Sequence, residues 1–455
     1  MRQAPASAAF PLISHAAETA VIAFRGGKPV SAARFISDVQ HLAARLPDGD
    51  HVLNVCTDRY HFAVGLGAAL VAKKISLLPS THTAEVIRQL QSFAADAFCL
   101  TDDPTCDIAL PRFAYPVEQR LPVPPWKIPC IESAQVAAYV FTSGSTGQPV
   151  PHAKTWGRLV HCVQNEAQRL GIRGIGAYTL IGTVPAQHMY GFESTVLLAL
   201  QSASSFCAER PFYPADICAI IAAAPRPRAL ITTPIHLRAL LAAELPLPAL
   251  DLLVSATAHL PQDLARAAEA RFQAPLQEIY GSTETGQIAS RRTAMQTEWQ
   301  LWPGVRLMAT DGHTLAQGGH VETPTRINDV VELLDAGHFL LHGRSTDLVN
   351  IAGKRSSFDY LNHQLNAIEG VRDGAFFLRD AHADSQTGVS RLAALVVAPD
   401  LNSAALLQQL RKRIDPVFLP RPLLFVDSLP RNGTGKLPQG ALLALAGTML
   451  KSNGA

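Results

Sequence analysis

Tyr139-Val-Phe-Thr-Ser-Gly-Ser-Thr-Gly-Gln-Pro149 is the stretch from which the rest of the chain can be read. The apolar, β-branched run from Val136 to Phe141 predicts a buried strand, and it opens abruptly into hydroxyls and glycines from Thr142 to Gly147. Gly144 and Gly147 let the backbone take positive φ and approach an anion with N–H groups pointing inward. Thr142, Ser143, Ser145 and Thr146 add hydroxyl donors. Alone, a Ser-Gly-Ser pattern reads as a flexible linker. Here a helix is expected next, because Trp156, Leu159, Val160, Val163 and Leu170 recur at helical spacing and share one face. A strand, a small-residue loop and a helix together predict a phosphate loop.

Apolar strand-like runs alternate with helical patterns on both sides of this loop. Before it come Val52 to Val55, Phe62 to Val71, Ile75 to Leu78 and Val86 to Leu90; after it come Tyr178 to Val184, Val196 to Leu200, Leu230 to Thr233 and Leu252 to Ser255. Such alternation implies largely parallel sheets covered by helices, an α/β fold. A Pro-rich bridge, Leu121 to Pro125, separates the first block from the loop. Beyond Gly343 the elements shorten: Leu348 to Ile351, Phe358 to Ile368, Ala375 to Leu378, Leu392 to Val397 and Leu406 to Ile414. A large N-terminal domain, residues 1–343, is therefore expected to be followed by a small α+β domain, residues 344–455.

With 455 residues, 48% hydrophobic and 17% charged, the chain can bury more than one core. A net charge of +2, with no basic run interleaved with aromatics, makes no case for nucleic acid. Cysteines 56, 99, 106, 130, 162, 207 and 218 are odd in number, dispersed and never spaced Cys-x-x-Cys. They read as reduced thiols of a cytoplasmic protein. No uncharged apolar run is long enough for a membrane span.

The loop lacks the Gly-Lys-Ser/Thr ending of a Walker A motif. It resembles instead the Thr-Ser-Gly-Ser-Thr-Gly-x-Pro signature of the adenylate-forming superfamily, which includes acyl-CoA synthetases, aryl-acid ligases, peptide-synthetase adenylation domains and luciferases. Further segments resemble that superfamily's motifs in the same order: Pro185-Ala-Gln-His188-Met-Tyr190-Gly191, Tyr280-Gly281-Ser-Thr283-Glu284, Trp302-Pro-Gly-Val305, Gly343-Arg344, and Leu429-Pro-Arg-Asn-Gly-Thr-Gly435-Lys436. The matches run from residue 139 to 436, about two-thirds of the chain.

The resemblance implies ATP-dependent activation of a carboxylic acid to an acyl-adenylate, then transfer to the thiol of coenzyme A or of a carrier protein's phosphopantetheine arm. Residues 142–147 would cradle phosphates, and Tyr280 with Gly281 would face adenine. Thr283 would hydrogen-bond the α-phosphate, and Glu284 would offer the hard carboxylate that Mg²⁺ prefers. Asp329 and Arg344 would grip the ribose hydroxyls, Asp329 being carried over by its distance of 15 residues from Arg344. Lys436 would neutralise charge as the acyl–phosphate bond forms. Thr346 would be the hinge on which a mobile small domain turns between the two reactions.

The acid is expected near His188, Tyr190, Gly191, Ser255, Ala256, Thr257 and Gly281. Those residues suit an aryl or hydroxyaryl acid; an aliphatic or 3-hydroxy fatty acid is the alternative. Two departures stand out. Val150 occupies a position where the superfamily usually has lysine, so Lys154 or His152 is expected to replace the lost charge in part. The aspartate segment reads Thr325-Arg-Ile-Asn-Asp329 where Tyr-x-Thr-Gly-Asp is usual, which leaves a non-catalytic nucleotide- or acyl-binding homologue as a reading of another class.

Overall fold

The computed structural model describes residues 8–79, 81–116, 125–143, 149–172, 178–310, 313–344, 348–351, 354–379, 391–432 and 435–452. Within these, the chain divides into two units: residues 1–256, 262–308 and 316–325 in the first, and 257–261, 309–315 and 326–455 in the second.

The first unit carries two helix-covered sheets. In spatial order, one contains Pro149–Thr155, Val136–Ser143, Ile75–Leu78, His51–Asn54, Phe98–Thr101 and Arg112–Ala114. All neighbours in it are parallel except the first pair. Nine strands of the other run Trp299–Leu301, Gly286–Arg291, Leu276–Ser282, Leu252–Ser255, Arg228–Thr232, Thr179–Gly182, Ser205–Cys207, Val21–Arg25 and Lys28–Ser31. The middle six are parallel, and antiparallel strands close both ends. Leu230, Ile231, Leu253, Val254 and Leu276 are fully buried, as expected for strands covered on both faces.

The expected helix after the loop is Trp156–Arg169, capped by the Thr155 side chain, but it does not follow the loop directly. The strand Pro149–Thr155 intervenes and pairs antiparallel with Val136–Ser143. Pro149 and Pro151 hid this strand from a reading by propensity; it is tolerated because it lies at the sheet edge, where a missing N–H costs no ladder bond. The run Val196 to Leu200 is helical as expected, with one addition: a π-helical stretch, Phe192–Leu197, between short α-helical pieces Met189–Gly191 and Leu198–Gln201.

Arg59 ties the carboxyl ends of two parallel strands together. It is buried, and its guanidinium donates to the carbonyls of Cys207, Glu209, Gly182 and Val184 at 2.7–3.1 Å. Burial lowers its pKa to about 10, which leaves it charged at neutral pH.

In the second unit, Asp373–Arg379 pairs antiparallel with Arg391–Val397, which pairs parallel with Leu423–Phe425. Side-chain alternation gives this sheet two cores. Phe376, Ala394 and Val396 pack with Leu361, Leu365, Leu406 and Leu410 from helices Phe358–Asn366 and Ser403–Arg411. Ala375, Phe377 and Leu395 pack with Leu442 and Ala446 of helix Gln439–Ser452. That helix begins just past Pro438. Two hairpins, Asp329–Leu333 with His338–Arg344 and Leu348–Ile351 with Lys354–Ser357, belong to the same unit.

Candidate functional site

Thr283 and Glu284 sit in the turn between strands Leu276–Ser282 and Gly286–Arg291, and the local chemistry holds that turn tightly. The Ser282 amide donates to Thr285 Oγ1 and the Thr285 amide to Ser282 Oγ, each at 3.2 Å. Thr285 Oγ1 also donates to the Gly286 carbonyl at 2.7 Å. Gly281 approaches the opposite strand so closely that a Cβ would lie 2.3 Å from the Gly286 carbonyl oxygen, and Gly286 itself has φ +71°. The Glu284 side chain is 29% exposed at the tip. Tyr280 lies with its ring centroid 5.5 Å from that of Trp299, leaving it half-buried at the strand's end.

Two residues after the loop face this turn. His152 shares a hydrogen bond with Thr142 Oγ1 at 2.9 Å, and its Nε2 lies 3.9 Å from Glu284 Oε1. Burial holds its pKa below the usual histidine value although Glu284 pulls the other way. Lys154 is only 6% exposed, and its Nζ donates to the Glu284 carbonyl at 3.0 Å. Its charge thus serves the backbone of the glutamate turn. Gly144, Ser145, Thr146 and Gly147 lie outside the described residues, as does Thr346; of Ser143 only the backbone, in its strand, is described.

A buried ionisable cluster, which the sequence reading missed, lies around Lys154. Glu193 Oε1 accepts from Cys162 Sγ at 3.3 Å, and Gln287 Nε2 donates to Ser194 Oγ at 2.8 Å. Burial pushes the Glu193 carboxyl up to about 7 against the pull of Lys154, and pushes Glu166 up to about 8. Burial and then Lys154 hold His320 down near 4. For Glu166 the signal was present in the sequence, since it falls on the apolar stripe of its helix.

The expected acid-pocket residues of the first unit cluster at the carboxyl end of the central strands, where open α/β sheets hold their ligands. His188 is the N-cap residue of Met189–Gly191 and is half-buried. Gly191 packs so close to the Pro185 carbonyl that a Cβ would sit 2.0 Å from it. Tyr190 is buried and donates its hydroxyl to the Val254 carbonyl at 3.0 Å. Ser255 is fully buried with no protein partner for its hydroxyl, beside buried Ala256. Thr257 takes φ +80°, the left-handed region, and is assigned to the second unit.

In the second unit Asp329 and Arg344 are Cα partners across a hairpin. Lys436 presents an exposed side chain on a fixed backbone. Its amide donates to Asn432 Oδ1 at 2.9 Å, its carbonyl accepts from the Asn432 amide at 2.8 Å, and Arg431 reaches the Gly435 carbonyl while pairing with Asp373.

A sequence profile of the family described as AMP-binding enzyme matches residues 15–335. A 4-coumarate–CoA ligase of Rhodobacter capsulatus is 29% identical over 317 residues, covering 67% of this chain and 75% of that protein. A 4-chlorobenzoate–CoA ligase of an Arthrobacter species is 26% identical over 350 residues, covering 67% and 65%. Among solved structures, ATP-bound MatB from Rhodopseudomonas palustris superposes with a TM-score of 0.79 at 18% identity, covering 94% of this chain and 96% of that one. An o-succinylbenzoate CoA synthetase of Bacillus subtilis holding its acyl-adenylate gives 0.76 at 17% identity, covering 92% and 94%.

Proposed function

The chain belongs to the AMP-binding enzyme family, and from that premise we propose that it activates an aryl or hydroxyaryl acid with ATP and passes the acyl group to a phosphopantetheine thiol. It is an AMP-forming acid–thiol ligase. A carboxylate oxygen attacks the α-phosphorus, an acyl-adenylate forms, and pyrophosphate leaves; the thiol sulfur then attacks the acyl carbon and AMP leaves.

The observation that carries the reading is the rigid Ser282–Gly286 turn, which presents Glu284's carboxylate partly exposed while spending its carbonyl on Lys154. One such carboxylate, with phosphate oxygens and water completing the shell, suits a magnesium–nucleotide complex. Magnesium would supply positive charge against the phosphate oxygens. Thr283 would donate to the α-phosphate, Tyr280 would lie against adenine, and His152 would add a polar contact beside Thr142. Asp329 and Arg344 would hold the ribose. Lys436, on the small C-terminal domain that we place at residues 344–455, would stabilise charge in the first step and leave the site for the second, with Thr346 as the hinge.

Two observations support an aryl or hydroxyaryl substrate. The first is that the carboxyl end of the central strands carries both the aromatic Tyr190 and Ser255, whose buried hydroxyl has no protein partner; they would offer a flat apolar wall and one polar contact. The second is that the two sequence relatives above are named for aryl and aryl-propenoic acids. The choice between coenzyme A and a carrier protein turns on the second half-reaction. A cytoplasmic site of action accords with the reduced cysteines, and among the described residues no helix is long and apolar enough to cross a membrane.

The test is substrate-dependent exchange of labelled pyrophosphate into ATP over a panel of carboxylic acids, followed by thioester formation with coenzyme A or a phosphopantetheinyl carrier. Hydroxybenzoates and cinnamates should lead the panel. A ranking led by medium aliphatic or 3-hydroxy acids would replace the aryl assignment.

A further inference from the structure

We propose that Lys154 is a positioning residue: from beneath the turn bearing Thr283 and Glu284 it fixes that turn's backbone. The inference rests on Glu284 being the magnesium carboxylate.

Three observations converge on it. Lys154 Nζ donates to the Glu284 carbonyl at 3.0 Å although the two residues are 130 apart in sequence. The neighbouring Gly286 lies directly on the cluster around Lys154, since a Cβ there would meet Glu193 Oε1 at 3.2 Å, Cys162 Sγ at 3.5 Å and His320 Cδ2 at 3.6 Å. Burial weighs against the ammonium, Glu193 and Glu284 act on it attractively and Arg158 repulsively, and neutral His320 lies within its field.

Burying an ammonium is expensive, and a buried ion pair seldom stabilises more than well-packed apolar side chains would. A methionine would fill the same volume more cheaply. What it could not do is hold a carbonyl. Fixing the Glu284 carbonyl fixes that residue's ψ, and the Cα–Cβ vector that aims its carboxylate follows. The lysine that the loop lacks at position 150 is therefore not replaced at the surface by Lys154, whose charge acts from below.

The experiment uses the full-length protein. In Lys154→Met without ligands, amide hydrogen exchange of the peptide spanning residues 282–287 should accelerate about tenfold or more, the scale of a lost charge-assisted hydrogen bond. The magnesium concentration that half-saturates pyrophosphate exchange should rise by a similar factor, with the KM for the acid unchanged. Lys154→Met/Glu193→Gln, which leaves no uncompensated charge, should regain thermal stability while keeping the loose turn and raised magnesium requirement. Unaltered amide exchange in Lys154→Met, or recovery of both turn and magnesium dependence in the double variant, would reduce Lys154 to charge balance and overturn the proposal. Glu284→Ala is the control. Retained magnesium-dependent activity there would sink the magnesium assignment, whereas the amide exchange bears on Lys154 alone.

Discussion

Asp329 and Arg344 stand opposite each other as the outermost register pair of the hairpin Asp329–Leu333 with His338–Arg344. The register slips by one between this pair and Val331–Leu341, so a bulge separates them from the regular ladder. A spacing of 15 residues thereby becomes direct opposition of backbones. If the pair grips ribose as one unit, Asp329→Asn and Arg344→Ala should each raise the KM for ATP, and the double variant should fall short of additivity by about 0.5–3 kcal/mol. Strict additivity would show that they do not share a ligand.

Lys436 separates the two half-reactions. Its replacement by alanine should slow acyl-adenylate formation by at least ~10²-fold, the lower end of losses on removing a preorganised donor. Thioester formation from supplied acyl-adenylate should survive. Equal loss in both, in a variant still folded by circular dichroism, would point to one fixed arrangement of the site.

His188→Ala should reorder the preferred acids more than it changes the KM for ATP. The residue caps the short helix leading to Gly191, on the side where the acid is expected. A raised ATP constant with an unchanged order of acids would move His188 to the nucleotide.

Glu166 gives a pH signature. Its carboxyl, buried in the folded chain, is pushed up from 4.5 to about 8. Its contribution to stability is fully present below about pH 4.5 and is lost as pH rises through the folded value, because only the unfolded chain ionises in that window. Between pH 5 and 8 the protein should lose on the order of 1 kcal/mol per pH unit from this group. Glu166→Gln should flatten the urea-midpoint profile over that range; an unchanged slope would mean that Glu166 is ionised in the fold.

Arg59→Met should cost roughly 3–5 kcal/mol, the usual penalty for breaking a buried charged network. Four carbonyls would lose their donor. A denaturant midpoint within experimental error of the parent chain would show that water satisfies them.

Much of this architecture was legible because strands buried on both faces leave continuous apolar runs, and Ile75–Leu78, Leu252–Ser255 and Arg391–Val397 lie where those runs fall. Pro149–Thr155 was illegible by propensity, since only its place at a sheet edge makes two prolines acceptable. Glu284 was readable from its motif, but its support was not. Lys154 and Glu193 enter one buried cluster only through tertiary structure, and a charged residue on an edge strand or a short helix reads as solvated until burial is known. Tyr190 offered a hydroxyl on paper, which the fold had already committed to Val254.

The prolines of the edge strand also bear on how the molecule behaves in a crowded solution. A terminal strand with every amide free is a template onto which another chain can zip, the first step of domain exchange or fibre growth. Pro149 and Pro151 are two residues apart and so blank out donors on one side of the strand, the outer one, since the inner amides are needed for pairing with Val136–Ser143. A second copy approaching that rim would find gaps where its carbonyls need partners. This rim of the sheet is thereby closed to a second copy of its own chain.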